Sequence, residues 1–342
     1  MLKTIAISVL TAIIALGSAW DAVAAPKKLK YAVFTPAKEP TFPGVMVPFA
    51  KDASKDSGGT IQIDTFPGGS LGKNPRSQLK LALDGVVDMS WIIPSYTPGR
   101  FPDNDVFELP GLFRNVYESA NTVWRIYKKG MLRGFENVFV VSLFQNHPYY
   151  VFTKKKISKL SDLKGLKIRA PGPVFGASIR AIGATPVGMP APTIAENISR
   201  GILDGSILEF NGYYAFRIKD VASHTLMSNT GTGLFGTASL ATVMNKKIFD
   251  GLPDNARKSI MKHSGKVTTD NFVKVHDAGN VKLMKITEKN PALHINRLSA
   301  GDQKKFDAKM AVVINKWAGK NDRRKKLLAA VRAEVSAIRA GK

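Results

Sequence analysis

The chain has 342 residues, no cysteine and a formal charge of +24, from 50 basic and 26 acidic side chains. Without cysteine it forms no disulfide, carries no thiol nucleophile and has no cysteine for a lipid anchor. At 44% hydrophobic and 22% charged residues it is composed as a folded protein of one large or two ordinary domains.

In chain order, Lys3 precedes an apolar run from Ile5 to Leu16, and Ala22-Val23-Ala24 follows as a small-x-small site. That order of charge, apolar core and small residues predicts a secretory leader over residues 1–24, cleaved near Ala24. The run is too short to span a bilayer as a mature helix. Export places the mature protein in the periplasm and separates its basic surface from nucleic acid. The basic residues are scattered, apart from Lys154-Lys155-Lys156 and Arg323-Arg324-Lys325-Lys326. Such a charge either steers anionic ligands or serves solubility.

Leu29 to Phe34 alternates as a strand does. Val45, Phe49 and Ala53 then fall at helical spacing, and Gly58-Gly59 stops that segment. Thr60 to Phe66 alternates again, Leu79, Ala82, Leu83 and Val86 mark a second helical stripe, and Val87 to Ile92 is a third strand. The order βαβαβ recurs downstream. Leu166 to Ala170 reads as a strand, Phe175, Ile179 and Ile182 as a helix, and Pro186 to Met189 as a strand. Ile194, Ile198 and Ile202 mark the next helix and Ser206 to Phe210 the next strand. Two α/β lobes of similar architecture follow from this repetition.

Ligands of parallel sheets bind beyond the carboxyl ends of the strands. Those ends are Phe34 to Pro36, Trp91 to Pro94, Arg169, and Phe210 to Asn211, and they predict a cleft between the lobes. From Pro253 to Asn290 the pattern fits one long helix, weakened at Gly265 and Gly279. Helices over Ala300–Ala318 and Asp322–Ala340 follow, the last basic and amphipathic and expected to pack on a lobe.

The histidines at 147, 224, 263, 276 and 294 form no HExxH and no i+3 or i+4 pair, so no metal or other cofactor is expected. There is no GxSxG, and Gly68 to Lys73 reads as a tight turn rather than a phosphate loop. The carboxylates Asp103 and Asp105 lie in a loop without catalytic spacing. No catalytic residue is expected. An exported hydrolase or lyase acting on an organic acid remains the alternative class.

The run Asp162-Leu163-Lys164-Gly165-Leu166-Lys167-Ile168-Arg169-Ala170-Pro171 resembles the DLKGLKIRVP signature of DctP-type substrate-binding proteins of tripartite (TRAP) transporters. The resemblance continues through Ala181 to Pro190 and through Gly201-Ile202-Leu203-Asp204-Gly205. Upstream it includes Phe66 to Gly72 and Val106 to Pro110, and downstream Met244 to Lys247 with Leu252-Pro253.

The resemblance implies a two-lobed fold of the periplasmic binding protein type, with crossing strands at the hinge and a long lobe-spanning helix. The division expected is 25–147 plus 236–275 for lobe I and 148–235 plus 276–342 for lobe II. It also implies a monomeric, non-enzymatic receptor that takes a small organic acid by its carboxylate and delivers it to separate membrane permease subunits. A related receptor serving another transporter or a sensor is the alternative within the binding class. Arg169 matches the family's carboxylate-clamping arginine, and a guanidinium offers a planar fork to a carboxylate while staying charged when desolvated.

Sialic-acid-binding members carry a second arginine where Tyr149 stands here, so an acidic sugar is not expected. After Asp204-Gly205 the chain departs from the family's DGQENP, and Asn211, with Glu209 in the same segment, is the candidate counterpart of its ligand-binding asparagine. Trp91, Tyr96, Tyr149 and Tyr214 either line the pocket or pack in the lobes.

Overall fold

The computed structural model describes residues 25–342, so the predicted leader and its cleavage site lie outside the described residues. The strands are β1 (Lys27–Ala32), β2 (Ile61–Phe66), β3 (Met89–Ile92), β4 (Val138–Gln145), β5 (Tyr150–Thr153), β6 (Lys167–Ala170), β7 (Thr185–Gly188), β8 (Gly205–Leu208), β9 (His224–Met227), β10 (Ser239–Asn245) and β11 (His294–Arg297). The helices are α1 (Val47–Asp56), α2 (Gln78–Leu83), α3 (Val116–Lys128), α4 (Pro173–Ala181), α5 (Ile194–Ser199), α6 (Phe210–Ala215), α7 (Lys246–Asp250), α8 (Asp254–Lys262), α9 (Lys266–Lys289), α10 (Ala300–Ala318) and α11 (Asp322–Arg339).

Both βαβαβ units form as the hydrophobic periods predict, and both lay their strands in the same spatial order. In lobe I the order is β2-β1-β3, all parallel, and in lobe II it is β7-β6-β8, again parallel. Each sheet is then extended by a strand that the chain delivers from the other side of the hinge. β10 joins β3 antiparallel in lobe I, with β4 outside it. β5 joins β8 antiparallel in lobe II, with β9 and then β11 outside it. The chain therefore crosses between the lobes from β4 to β5 and returns from β9 to β10, and these crossings are the hinge.

Two helical stripes end earlier than their spacing suggests. Helix α2 stops at Leu83 and α5 at Ser199. Gly85 and Gly201 follow at φ 74° and 72°, the left-handed conformation that closes a helix. Val86 and Ile202 lie beyond those turns and are exposed.

The long helix expected from Pro253 to Asn290 is divided into α8 and α9. Gly265 adopts φ 75°, and its N–H donates to Val141 O of β4 at 2.7 Å, which turns the chain out of the first helix. Gly279, the other expected weak point, is carried within α9 because the Asn211 side chain lies against it. A Cβ there would stand 2.6 Å from Asn211 Oδ1. Helix α9 touches both lobes, with Phe272 and Val273 in the lobe I core and Leu283 and Met284 against the lobe II core.

The final helix departs from the expected division. Expected with lobe II, it instead lays its apolar face of Leu327, Leu328, Val331 and Val335 in a core shared with Val123 and Ile126 of α3 in lobe I. Arg339 pairs with Glu118 at 2.9 Å, and Glu334 pairs with Arg125 at 3.3 Å and with Lys129. Arg323 and Arg133 converge on the buried carboxylate of Asp103, each at 2.8 Å. The chain's end thus returns to clasp the lobe where the described chain begins.

Candidate functional site

The two lobes meet around a small cavity, with about 490 Å³ of atom-free space when the open solvent at its mouth is included. Three of the four predicted strand ends line it directly. Phe34 and Thr35 follow β1, Trp91 and Ile93 mark the end of β3, and Glu209 and Asn211 follow β8. Helix α9 adds His276, and the hinge between β4 and β5 adds Asn146 and Tyr149.

Arg169, at the end of β6, stands just behind this lining. It is completely buried, and its three hydrogen bonds all go to neutral oxygens. Nε donates to Met189 O at 2.8 Å, Nη1 to Ile207 O at 3.3 Å and Nη2 to the Tyr96 hydroxyl at 2.8 Å. The Tyr96 oxygen also accepts from Ala191 N at 2.9 Å, so its own proton is free to point toward a ligand.

Trp91 stacks on Phe272 of α9 with centroids 5.0 Å apart, and its buried Nε1 has no hydrogen-bond partner. Tyr149 stacks on Phe175 at 5.1 Å and accepts from Asn146 Nδ2 at 2.8 Å. Burial pushes the Tyr149 phenol well above its usual range, so it stays neutral. Asn211 donates to His276 O at 2.8 Å, which ties α6 to α9 and leaves its Oδ1 unpartnered. Glu209 caps α6 by accepting from Gly212 N at 2.8 Å, and burial raises its carboxyl to about 8.

The sequence-derived candidates are therefore brought together, with one exception. Tyr214 does not line the cavity. It sits one helical turn past Asn211, where α6 has moved along α9, and its hydroxyl reaches Thr287 Oγ1 at 3.1 Å. Sequence reasoning missed Glu39 and His276. Glu39 lies buried at the cavity with Thr41 on its carboxyl, and its only local signal is an acidic residue just before a helix start. Burial holds His276 neutral, well below the usual histidine range.

Four buried polar atoms on cavity-lining residues lack partners: Thr35 Oγ1, Trp91 Nε1, Asn211 Oδ1 and His276 Nδ1. Buried polar groups are ordinarily satisfied, so unpartnered atoms on four residues of one cavity fit a place that takes a polar ligand. The lobes are in contact around it. Arg76 Nη2 of lobe I reaches Gly188 O of lobe II at 3.3 Å, and a Cβ on Gly172 would stand 2.9 Å from both Ser95 Cβ and Glu108 Oε2.

Two α/β lobes, exchanged hinge strands and a cleft holding a buried cation and partnerless polar atoms define a two-lobed ligand-binding protein. The chain belongs to the DctP family, bacterial extracellular solute-binding protein family 7, which residues 31–321 match. Its family and fold are those of binding proteins rather than enzymes.

A TRAP solute-binding protein from Rhodoferax ferrireducens T118, solved with copurified benzoate, is 30% identical. The match covers 91% of this chain and 98% of that one, with a TM-score of 0.84. A marine metagenome TRAP solute-binding protein specific for aromatic acid ligands, solved with 3-hydroxybenzoate, is 25% identical. There the match covers 92% and 99% of the two chains, with a TM-score of 0.85. A solute-binding protein of Albidiferax ferrireducens is 27% identical over 62% of this chain and 63% of its own length. The chain thus matches just under two thirds of that relative.

Proposed function

We propose that this solute-binding protein works in the periplasm as the receptor of a TRAP transporter, capturing a small aromatic monocarboxylate and delivering it to the membrane permease. The observation that carries the reading is Arg169, a fully buried guanidinium whose hydrogen bonds all end on neutral oxygens. A buried charge without a counter-charge is costly, and a ligand carboxylate brought beside it supplies the missing partner.

The aromatic walls from Phe34, Trp91, Tyr96 and Tyr149 suit a flat apolar body attached to that carboxylate. The benzoate and 3-hydroxybenzoate complexes of similar proteins support the same class. Capture joins both lobes to one ligand and so favours the closed arrangement. The leader over residues 1–24 accounts for export, with cleavage near Ala24, and the mature receptor acts as a monomer.

Native mass spectrometry of the gently purified protein, followed by calorimetric titration with benzoate and its hydroxylated derivatives, tests the reading. A bound aromatic acid and saturable one-to-one binding are expected. A protein that binds none of these acids, or that converts them, overturns it.

A further inference from the structure

The anion-binding reading leaves two cavity groups without a role. Glu39 follows β1 in lobe I, Glu209 opens α6 in lobe II, and both buried carboxyls line the cavity. Each is fixed from behind: Glu39 accepts from Thr41 N at 3.1 Å and from the Thr41 hydroxyl, and Glu209 accepts from Gly212 N at 2.8 Å. The cavity lining includes no lysine or arginine, so the positive charge at the site is that of Arg169 behind Tyr96.

The other titratable groups facing this pair are Tyr96 beyond β3, Tyr149 and Tyr150 at the hinge, and His276 on α9. His147 and Asp277 lie behind His276. They stand 3.1 Å apart, an ion-pair distance without hydrogen-bond alignment. Burial keeps Tyr149, Tyr150 and His276 neutral.

The charge of the site follows. With both glutamates ionised beside one arginine the pocket is net negative, and a bound carboxylate would add a second uncompensated charge between apolar walls. With both protonated the pocket carries the single positive charge of Arg169, which one carboxylate neutralises. A dicarboxylate leaves a negative charge over.

We propose that Glu39 and Glu209 are specificity-determining residues that fix the ligand's charge at minus one: they occupy the complex as neutral acids, so a monocarboxylate is captured together with protons from water and a dicarboxylate is refused. The proposal rests on the reading of Arg169 as the ligand clamp.

The free protein is poised for this. Burial lifts Glu39 to about 7 against the hydrogen bonds from Thr41, and lifts Glu209 to about 8 with the nearby Glu39 adding to the rise. A bound anion raises both further, because like charges disfavour ionisation. The same carboxyl can donate its proton to the ligand while its other oxygen keeps the backbone N–H.

The test is calorimetric titration of the mature chain with benzoate between pH 6 and pH 9, in buffers of different ionisation heat. Net proton uptake at pH 8 is expected, with affinity falling about tenfold or more from pH 6 to pH 9. Succinate, no larger than benzoate but doubly charged, is expected to bind about a hundredfold more weakly than benzoate at pH 7. The variant Glu39→Gln/Glu209→Gln keeps both hydrogen-bond acceptors, and its benzoate affinity is expected to be flat with pH and free of proton uptake. Benzoate binding by the native chain without proton uptake overturns the inference alone, as does succinate binding as tight as benzoate. Failure of every aromatic carboxylate to bind at any pH overturns the clamp reading and this inference with it.

Discussion

The Arg169 guanidinium of lobe II donates to the Tyr96 hydroxyl of lobe I at 2.8 Å, so the proposed ligand clamp is itself held from across the cleft. The same oxygen accepts from Ala191 N of lobe II, and the closed arrangement brings all three groups together.

Removing the clamp is the sharpest test. Arg169→Ala is expected to fold, because it removes a buried cation that has no counter-charge, and to bind benzoate about 2–5 kcal/mol more weakly. That is a loss of roughly thirty- to several-thousand-fold. Arg169→Lys keeps a charge but not the fork and is also expected to bind poorly. Circular dichroism checks the fold and calorimetry the affinity. Binding by Arg169→Ala within about threefold of native would place the clamp elsewhere.

Tyr96→Phe removes one oxygen and leaves Arg169 Nη2 and Ala191 N without their acceptor in the closed state. An unsatisfied buried donor costs about 1–3 kcal/mol, so ligand binding should weaken roughly five- to a hundredfold. The loss should appear mainly as faster release in stopped-flow experiments, because Tyr96 secures closure. Unchanged release kinetics would remove this bond from the closing contacts.

Gly172→Val tests closure without altering the cavity. The backbone there is extended at φ −151°, so a side chain causes no local strain. Its Cβ would nevertheless meet Ser95 and Glu108 of the opposite lobe at 2.9 Å. Small-angle scattering is expected to show native protein contracting with saturating benzoate and the variant failing to contract. A variant that contracts and binds like native would show that these lobes do not close on this contact.

Asp103 should govern how the clasp on lobe I responds to acid. Burial raises its carboxyl, but hydrogen bonds from Arg323 and Arg133 outweigh that and hold it well below the usual carboxylate range. Its stabilisation is therefore full above the unfolded carboxyl value of about 3.9 and is lost as pH falls through the folded one. Asp103→Asn is expected to cost about 1.5–3 kcal/mol at pH 7 and to flatten the stability profile below pH 4. Thermal unfolding across pH checks both. Equal acid sensitivity in the two proteins would move the effect to other carboxylates.

What could be read from the sequence was local in origin. Periods of two and of 3.6 residues mark β1 to β3 and β6 to β8 with their helices, and the strand ends then point to Trp91, Arg169 and Asn211. The exchange of β5 and β10 between sheets is implied by the family resemblance, as crossing strands at the hinge, but not by the hydrophobic periods, because pairing across the hinge is decided by residues far apart in the chain. The stripe on α11 indicated that the helix is packed but not on which lobe; the partners at Glu118, Arg125 and Asp103 are about two hundred residues away. Tyr214 looked equivalent to the other aromatics because composition does not say where a six-residue helix leaves the cavity. Glu39 carries little local signal, because its place in the site comes from a cavity lined by residues far apart in the chain.

The exchanged strands also dictate the order in which the molecule can be completed. A chain emerging amino end first delivers β1 to β3 and then β4, yet these cannot form one sheet until Ser239–Asn245 arrives between β3 and β4. All the strands from β5 to β9 have appeared by Met227. The lobe begun second thus has five contiguous strands of its sheet, all but the edge strand β11, before the lobe begun first, which waits for β10 and finally for the helix ending at Arg339. Removing α11 therefore injures the lobe that carries the amino end of the described chain, and leaves the sheet of the other with every strand it needs.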